Sequence, residues 1–349
     1  MTKITVLGSG SWGTVLANLL VENGHHVLLW GRGEKEVQEI NTQHTNRHYL
    51  PESTLRPQLK ATTDLQAAIA GTDAILFVVP TKAIRSVAQQ VAQQLTKVPE
   101  LKPIIITATK GLEQHTNARI SEIISHEIAA NLRQGVVVLS GPSHAEEVIK
   151  DDITTLTVAS KDVPSANWVQ KIFMNDHFRL YTNNDVTGVE VGAALKNVIA
   201  IGAGIVHGLD YGDNAKAALM TRGLAEMTRM GVSLGADPLT FSGLSGLGDL
   251  IVTCTSVHSR NWRAGNALGQ GRKLPEILAD MGMAVEGVYT AKTAHDLSIA
   301  QNIDMPISES IYKVLYEDAD LKTEVINIMK RKGQSENELM RPRLSGESE

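Results

Sequence analysis

Gly8-Ser9-Gly10-Ser11-Trp12-Gly13 spaces three glycines as G-x-G-x-x-G, directly after the short apolar run Ile4-Thr5-Val6-Leu7. In a strand-to-helix turn, glycines at these positions have separate uses. Gly8 permits the tight bend, Gly10 lets backbone approach a pyrophosphate, and Gly13 lets the helix pack closely on the strand. The helix start adds unpaired N–H groups and a positive dipole end for an anion. A purely structural glycine turn is the alternative reading. The next apolar run, 26–30, ends in Gly31-Arg32 with no acid before Glu34. An Asp or Glu there would hold a ribose 2′-hydroxyl, whereas an arginine can meet a 2′-phosphate with its charge and planar donor fork. NADPH is therefore favoured, NADH stays open, and an ordinary exposed loop arginine is the bland alternative.

Two lysines and one triplet carry the other candidate chemistry. Lys110-Gly111 ends the apolar run 103–109, and Gly141-Pro142-Ser143 follows the run 136–139. Ligands of open α/β sheets bind beyond the carboxyl ends of strands, so Lys110 stands where a charge can act, although a surface lysine would read the same. Lys196 and Asn197 lie inside an apolar, Gly- and Ala-rich segment expected to be helical over 185–207, with no acid within one turn and Glu190 nearly two turns away. A lysine in such surroundings is costly unless it is used, and burial lowers its pKa toward the range that suits proton transfer. Ser259-Arg260-Asn261 opens a further helix. A capping hydroxyl, free N–H groups and a guanidinium together form a phosphate site, with a plain helix cap as the alternative. Asp249 ends the glycine-spaced turn 243–248. His44 and His48 have helical-pair spacing, but no carboxylate completes a motif and Pro51 argues against a helix, so no metal is expected.

The elements that must position these residues follow from periodicity. Up to about residue 182 short apolar runs alternate with helical patterns. Strands are expected at 4–7, 26–30, 74–80, 103–109, 136–139, 154–159 and 177–181, and helices at 14–23, 34–42, 64–70, 81–95, 120–132 and 165–174. The polar stretch 33–63 reads as that 34–42 helix followed by a loop running into Pro51 that covers the cofactor. The pattern predicts an α/β N-terminal, Rossmann-like, doubly wound and mainly parallel sheet over 1–184. Beyond it the strand signals stop, and 185–332 reads as an all-α C-terminal domain. Within it the small residues of 185–207 would let another backbone come very close. The polar stretch 333–349 is expected to be disordered.

With 349 residues the chain can bury two cores, and a net charge of −5 supplies no broad basic face for nucleic acid or membrane. A single cysteine, Cys254, rules out an internal disulfide. The first strand begins at residue 4, which leaves no room for a signal peptide, and the longest apolar run, 186–209, is interrupted by Glu190, Lys196, Asn197 and glycines. A soluble cytoplasmic enzyme without membrane insertion is the expectation, and a homodimer is compatible with it.

Taken together, GSGSWGTVLA (8–17), LWGR (29–32), TKGLE (109–113), SGPSHAEE (140–147), GVEVGAALKNVIAIGAGI (188–205), the long block 214–271, VEGVYTA (285–291) and MPI (305–307) resemble the bacterial NAD(P)-dependent glycerol-3-phosphate dehydrogenases. The resemblance implies reversible reduction of dihydroxyacetone phosphate to sn-glycerol 3-phosphate, feeding glycerophospholipid synthesis. It also implies roles for residues. Lys196 is the proton donor to the ketone, and Lys110 is a second lysine at the substrate and nicotinamide end. Asp249 and Thr253 belong to the substrate pocket. Ser259, Arg260 and Asn261 clamp the phosphate, with Arg260 also near the cofactor. Gly141 and Ser143 contact substrate, and Ser11, Trp12, Arg32, Ala145, Ala284 and Glu286 match cofactor positions. Trp12, His144 and Ala284 depart from the Tyr or Phe, Phe and Val common in relatives. Two-domain dehydrogenases of the hydroxyacyl-CoA or 6-phosphogluconate type remain rivals, as does a non-catalytic dinucleotide sensor, which would need only the glycine loop.

Overall fold

The structure is a computed structural model that describes residues 1–333, 335 and 336; the expectation of a disordered tail therefore falls almost wholly outside the described residues. The described residues form two compact units, Met1–Thr109 with Ile120–Val186, and Lys110–Arg119 with the described residues from Thr187 onward.

The first unit is built on β1 (Lys3–Leu7), β2 (His26–Trp30), β3 (Thr45–Asn46), β4 (Leu50–Thr54), β5 (Lys60–Thr62), β6 (Ala74–Phe77), β7 (Ile104–Thr107), β8 (Val136–Ser140), β9 (Thr154–Ala159) and β10 (Phe178–Asn183). Eight of these form one sheet in the order β10-β9-β8-β7-β6-β1-β2-β5. Every neighbouring pair is parallel except β8 with β9. The continuous apolar runs have the form of strands covered on both faces, and all four residues of β6 and of β7 are buried. The chain leaves β1 toward β2 on one side and reaches β6 on the other. The carboxyl end of β1 is therefore the switch point at which such sheets bind ligands.

The expected loop after the second helix contains regular structure instead. Helix Glu34–Gln43 is followed by the β3–β4 hairpin and the edge strand β5. Leu50, Leu55 and Leu59 pin this region at 0–2 % exposure, but they are too sparse among polar residues to show a period. The expected 120–132 helix ends earlier, as helix Ile120–Glu127 and a separate turn Ala130–Leu132.

The second unit is helical and centred on Val186–Gly208. This helix is long and apolar enough to cross a membrane by composition, but 94 % of its most apolar window is buried within the fold. Its small residues do admit another backbone. A Cβ on Gly204 would lie 2.1 Å from Trp262 O, and one on Gly265 would lie 2.0 Å from Ile201 O. Helix Arg260–Gly269 thus crosses it at glycine-to-backbone contact. Helices Leu274–Met281 and Leu321–Met329 escaped the sequence reading, being short. The segment Lys110–Arg119 belongs with this helical unit, although it lies between two sheet strands in sequence.

Candidate active site

In the helical unit, Val186–Gly208 presents Lys196 toward helix Asp249–Thr255, which starts directly after a π-type turn, Leu244–Gly248. Lys196 Nζ donates to Asp249 Oδ1 and, at 2.8 Å, to Thr253 Oγ1. Lys110 Nζ donates to the other carboxylate oxygen, Asp249 Oδ2, at 2.9 Å. Thr253 Oγ1 also donates to Asp249 O at 2.6 Å, within its own helix. One carboxylate thereby holds two amines. The side chains of Asp249 and Lys196 are 1 % and 5 % exposed, against 19 % for Lys110. The acid that Lys196 lacks locally is supplied from 53 residues further along.

The electrostatics follow from this depth. Burial pushes the Lys196 ammonium down to about 7; Asp249 opposes the fall and Lys110 adds to it. Burial would raise Asp249, but Lys110 and Lys196 outweigh it and hold the carboxyl below its usual range. Cys254, next in sequence to Thr253, is pushed up to about 12 by burial, so its thiol stays protonated. The cluster is therefore an ionised acid holding an amine that titrates near neutrality, the property required of a general acid or base.

The Ser259-Arg260-Asn261 triplet opens helix Arg260–Gly269. The Ser259 hydroxyl caps the helix by accepting from Trp262 N at 3.2 Å. The Asn261 amide is committed to an internal bracket: Nδ2 donates to Asn197 Oδ1 and Oδ1 accepts from Gly287 N, both at 2.9 Å. It ties together three helices beside Lys196. Asn197 carries no local signal in the sequence beyond its place next to Lys196. Arg260 remains exposed, with Nη1 donating to Ala284 O at 3.0 Å, so the triplet and the 284–286 segment are brought together. Glu286 is in the first turn of helix Glu286–Ala300.

In the first unit, the glycine loop sits at the end of β1. Gly8 has φ +121°, and a Cβ on it would meet Val78 O at 2.4 Å. A Cβ on Gly13 would lie 1.9 Å from Gly8 O. Gly10 precedes helix Ser11–Glu22 with no side chain capping it, which leaves the first N–H groups for a ligand. Asn46 of β3 braces the loop from behind, its Nδ2 donating to Ser9 O and to Thr14 Oγ1, both at 2.9 Å. Ser11 Oγ donates to Tyr49 O at 3.2 Å, and Trp12 packs half-buried against the core. Arg32, one residue past Gly31, is exposed. After β8, Gly141 takes φ +137° and Ser143 Oγ donates to its carbonyl at 3.1 Å, ahead of the short helix Ala145–Val148. This cradle fits a dinucleotide's diphosphate.

His44 is a left-handed helix cap and His48 packs edge-on against Tyr49. Among the described residues, Glu22, Asp151 and His177 place ligand atoms within 4.8 Å of one another, but Arg56 pairs with Glu22 at 3.1 Å and Asp151 is 55 % exposed.

A glycine-cradle sheet and a helical unit with a buried amine–carboxylate cluster, carried on one chain, define a two-unit dinucleotide-dependent dehydrogenase. Comparison with known proteins narrows the class. The family described as NAD-dependent glycerol-3-phosphate dehydrogenase matches as its N-terminus over residues 3–166 and as its C-terminus over 185–326. The chain is 63 % identical over 336 residues to the glycerol-3-phosphate dehydrogenase [NAD(P)+] of Enterococcus faecalis, covering 96 % of this chain and 98 % of the relative. It is 62 % identical over 334 residues to that of Latilactobacillus sakei, with the same coverage. The crystal structure of glycerol-3-phosphate dehydrogenase from Coxiella burnetii superposes with a TM-score of 0.89 at 37 % identity, covering 95 % of this chain and 99 % of that one. This chain belongs to the NAD-dependent glycerol-3-phosphate dehydrogenase family.

Proposed function

We propose that this protein catalyses the reversible, NAD(P)H-dependent reduction of dihydroxyacetone phosphate to sn-glycerol 3-phosphate. The family relationship supports the reaction, and the observation that carries the mechanism is Lys196 buried against Asp249 and Thr253 with Lys110 on the same carboxylate. The dinucleotide supplies the hydride. Gly8, Gly10, Gly13, Ser11 and Trp12 would hold its diphosphate end. As the ketone oxygen gains negative charge, a protonated Lys196 stabilises it and delivers a proton, a positioned-acid effect of about 10²–10⁴-fold. Lys110 adds a second positive charge aimed at the same developing oxyanion. Asp249 keeps Lys196 protonated near neutrality against the pull of burial. Arg260, with Ser259 and Asn261 at the start of its helix, would bind the phosphate. Binding energy remote from the reacting carbon then serves to orient it. Gly141 and Ser143 are proposed as further substrate contacts, and Ala145, Ala284 and Glu286 as cofactor contacts.

The product suits supply of glycerophospholipid synthesis, and a cytoplasmic location accords with that role. Arg32, exposed past β2 with no acid before Glu34, favours a 2′-phosphate and hence NADPH over NADH. Initial rates with dihydroxyacetone phosphate and each reduced cofactor test the reading. Turnover with both, and higher kcat/KM with NADPH, is expected. Turnover with a hydroxyacyl-CoA or a phosphogluconate substrate in preference to the three-carbon ketone would replace it, and dinucleotide binding with no turnover at all would point to a sensor.

A further inference from the structure

The segment Lys110–Arg119 leaves the sheet after β7 and packs with the helical unit. It is a tight excursion. Glu113 N donates to Ala118 O and Asn117 N to Glu113 O, both at 2.9 Å, and Leu112 bridges to Arg119 in antiparallel fashion. Leu112 is 2 % exposed and part of the helical core. At the far end Arg119 Nη1 donates to Glu190 Oε2 at 2.9 Å, the two side chains being 17 % and 3 % exposed. Glu190 lies on Val186–Gly208, the helix that carries Lys196. A carboxylate at that depth is costly unless paired, and here a cation comes from the segment that begins with the other reacting amine.

We propose that Arg119 and Glu190 are a positioning pair for the reduction: their contact fixes the Lys110 segment to the Lys196 helix, so that both amines meet on Asp249. The proposal rests on the reading of that cluster as the catalytic centre. Lysine ends a flexible four-carbon stem, so its amine is placed only as well as its backbone is. The pair acts through Lys110, and its loss is felt in turnover before it is felt in dinucleotide binding.

The test uses the full chain with Arg119→Met, Glu190→Gln, the double variant that removes both charges, and Arg119→Lys, which keeps a cation near Glu190. One readout is kcat and KM for dihydroxyacetone phosphate beside the Kd for NADPH. The other is the acetylation rate of Lys110 by a small amine-reactive ester, read by peptide mass spectrometry with Lys196 as internal reference. Arg119→Met and the double variant are expected to lower kcat by about 10–100-fold, the scale of a misplaced catalytic group, with NADPH binding unchanged and Lys110 acetylated several-fold faster. Arg119→Lys should recover most of both. Unchanged Lys110 acetylation in the double variant would overturn the proposal, as would a parallel rise at Lys196, which would show general loosening of the helical unit. Acetylation needs no turnover, so a wild-type chain inactive on the ketone would overturn the functional reading while the labelling still decides the pair.

Discussion

Replacing Asp249 by Asn tests the electrostatics of the cluster with little change in shape. The carboxylate is 1 % exposed and touches both amines, so the substitution removes the negative charge that lets Lys196 hold its proton in a buried position. At an effective dielectric of about 20, a charge pair about 4 Å apart is worth about 4 kcal/mol, near three pKa units. Lys110, which itself pushes Lys196 down, then stands unopposed beside it, so a fall of at least about two units is expected at Lys196. The wild-type amine titrates at about 7, and the proposed mechanism requires its protonated form for reduction, so wild-type kcat should fall as pH rises through that value. In Asp249→Asn the falling limb should move to roughly pH 5, and kcat at pH 7 should drop about 50-fold, recovering toward pH 5.5. Stopped-flow pH–rate profiles with NADPH saturating, beside circular dichroism and an NADPH binding titration, would measure this. A limb that stays near 7 with reduced amplitude would refute the assignment of Asp249 as the group that tunes Lys196.

Arg260→Ala should raise KM for dihydroxyacetone phosphate by about 10-fold or more, as expected for loss of a charge-assisted phosphate contact. An effect confined to NADPH binding in steady-state kinetics would remove Arg260 from the phosphate clamp. Glu226 is 1 % exposed and accepts from Ile307 N, Ser308 N and Ser308 Oγ, closing the start of helix Pro306–Tyr316. Glu226→Ala strands these donors at about 1–3 kcal/mol each, so urea unfolding should show a loss of at least about 2 kcal/mol, and a loss under about 0.5 would deny the cap its structural weight. Cys254 is buried with its thiol pushed up to about 12. Native enzyme should therefore resist iodoacetamide at pH 8 and keep its activity, and rapid stoichiometric labelling would contradict that burial.

The sheet was legible because its strands are buried on both faces and read as unbroken apolar runs; Ala74–Phe77 and Ile104–Thr107 show it most plainly. A close backbone approach along the long helix was legible too, from small residues such as Gly192 spaced near one face; a Cβ there would lie 2.7 Å from Ser245 O. The β3–β4 hairpin was not, because its buried leucines are scattered among polar residues. The site divides in the same way. Lys196 stood out locally as a charge in an apolar helix. Its pairing with Asp249 spans 53 positions and that of Lys110 spans 139, separations that only the packed chain closes. Arg119 and Glu190, 71 positions apart, gave no local signal, because an arginine in a turn and an acid early in a helix are each unremarkable alone. Asn261 reads as a ligand from its type and place, while its amide contacts to Asn197 and Gly287 span 64 and 26 positions and show only in the packed chain.

The central claim is that the amine of Lys196 delivers the proton while the glycine cradle independently holds the dinucleotide. Single-turnover oxidation of NADPH by dihydroxyacetone phosphate in Lys196→Ala addresses it most directly. The account predicts NADPH Kd within about two-fold of wild type and a rate lower by about 10²–10⁴-fold. A rate within a few-fold of wild type, with the pH dependence intact, would contradict it.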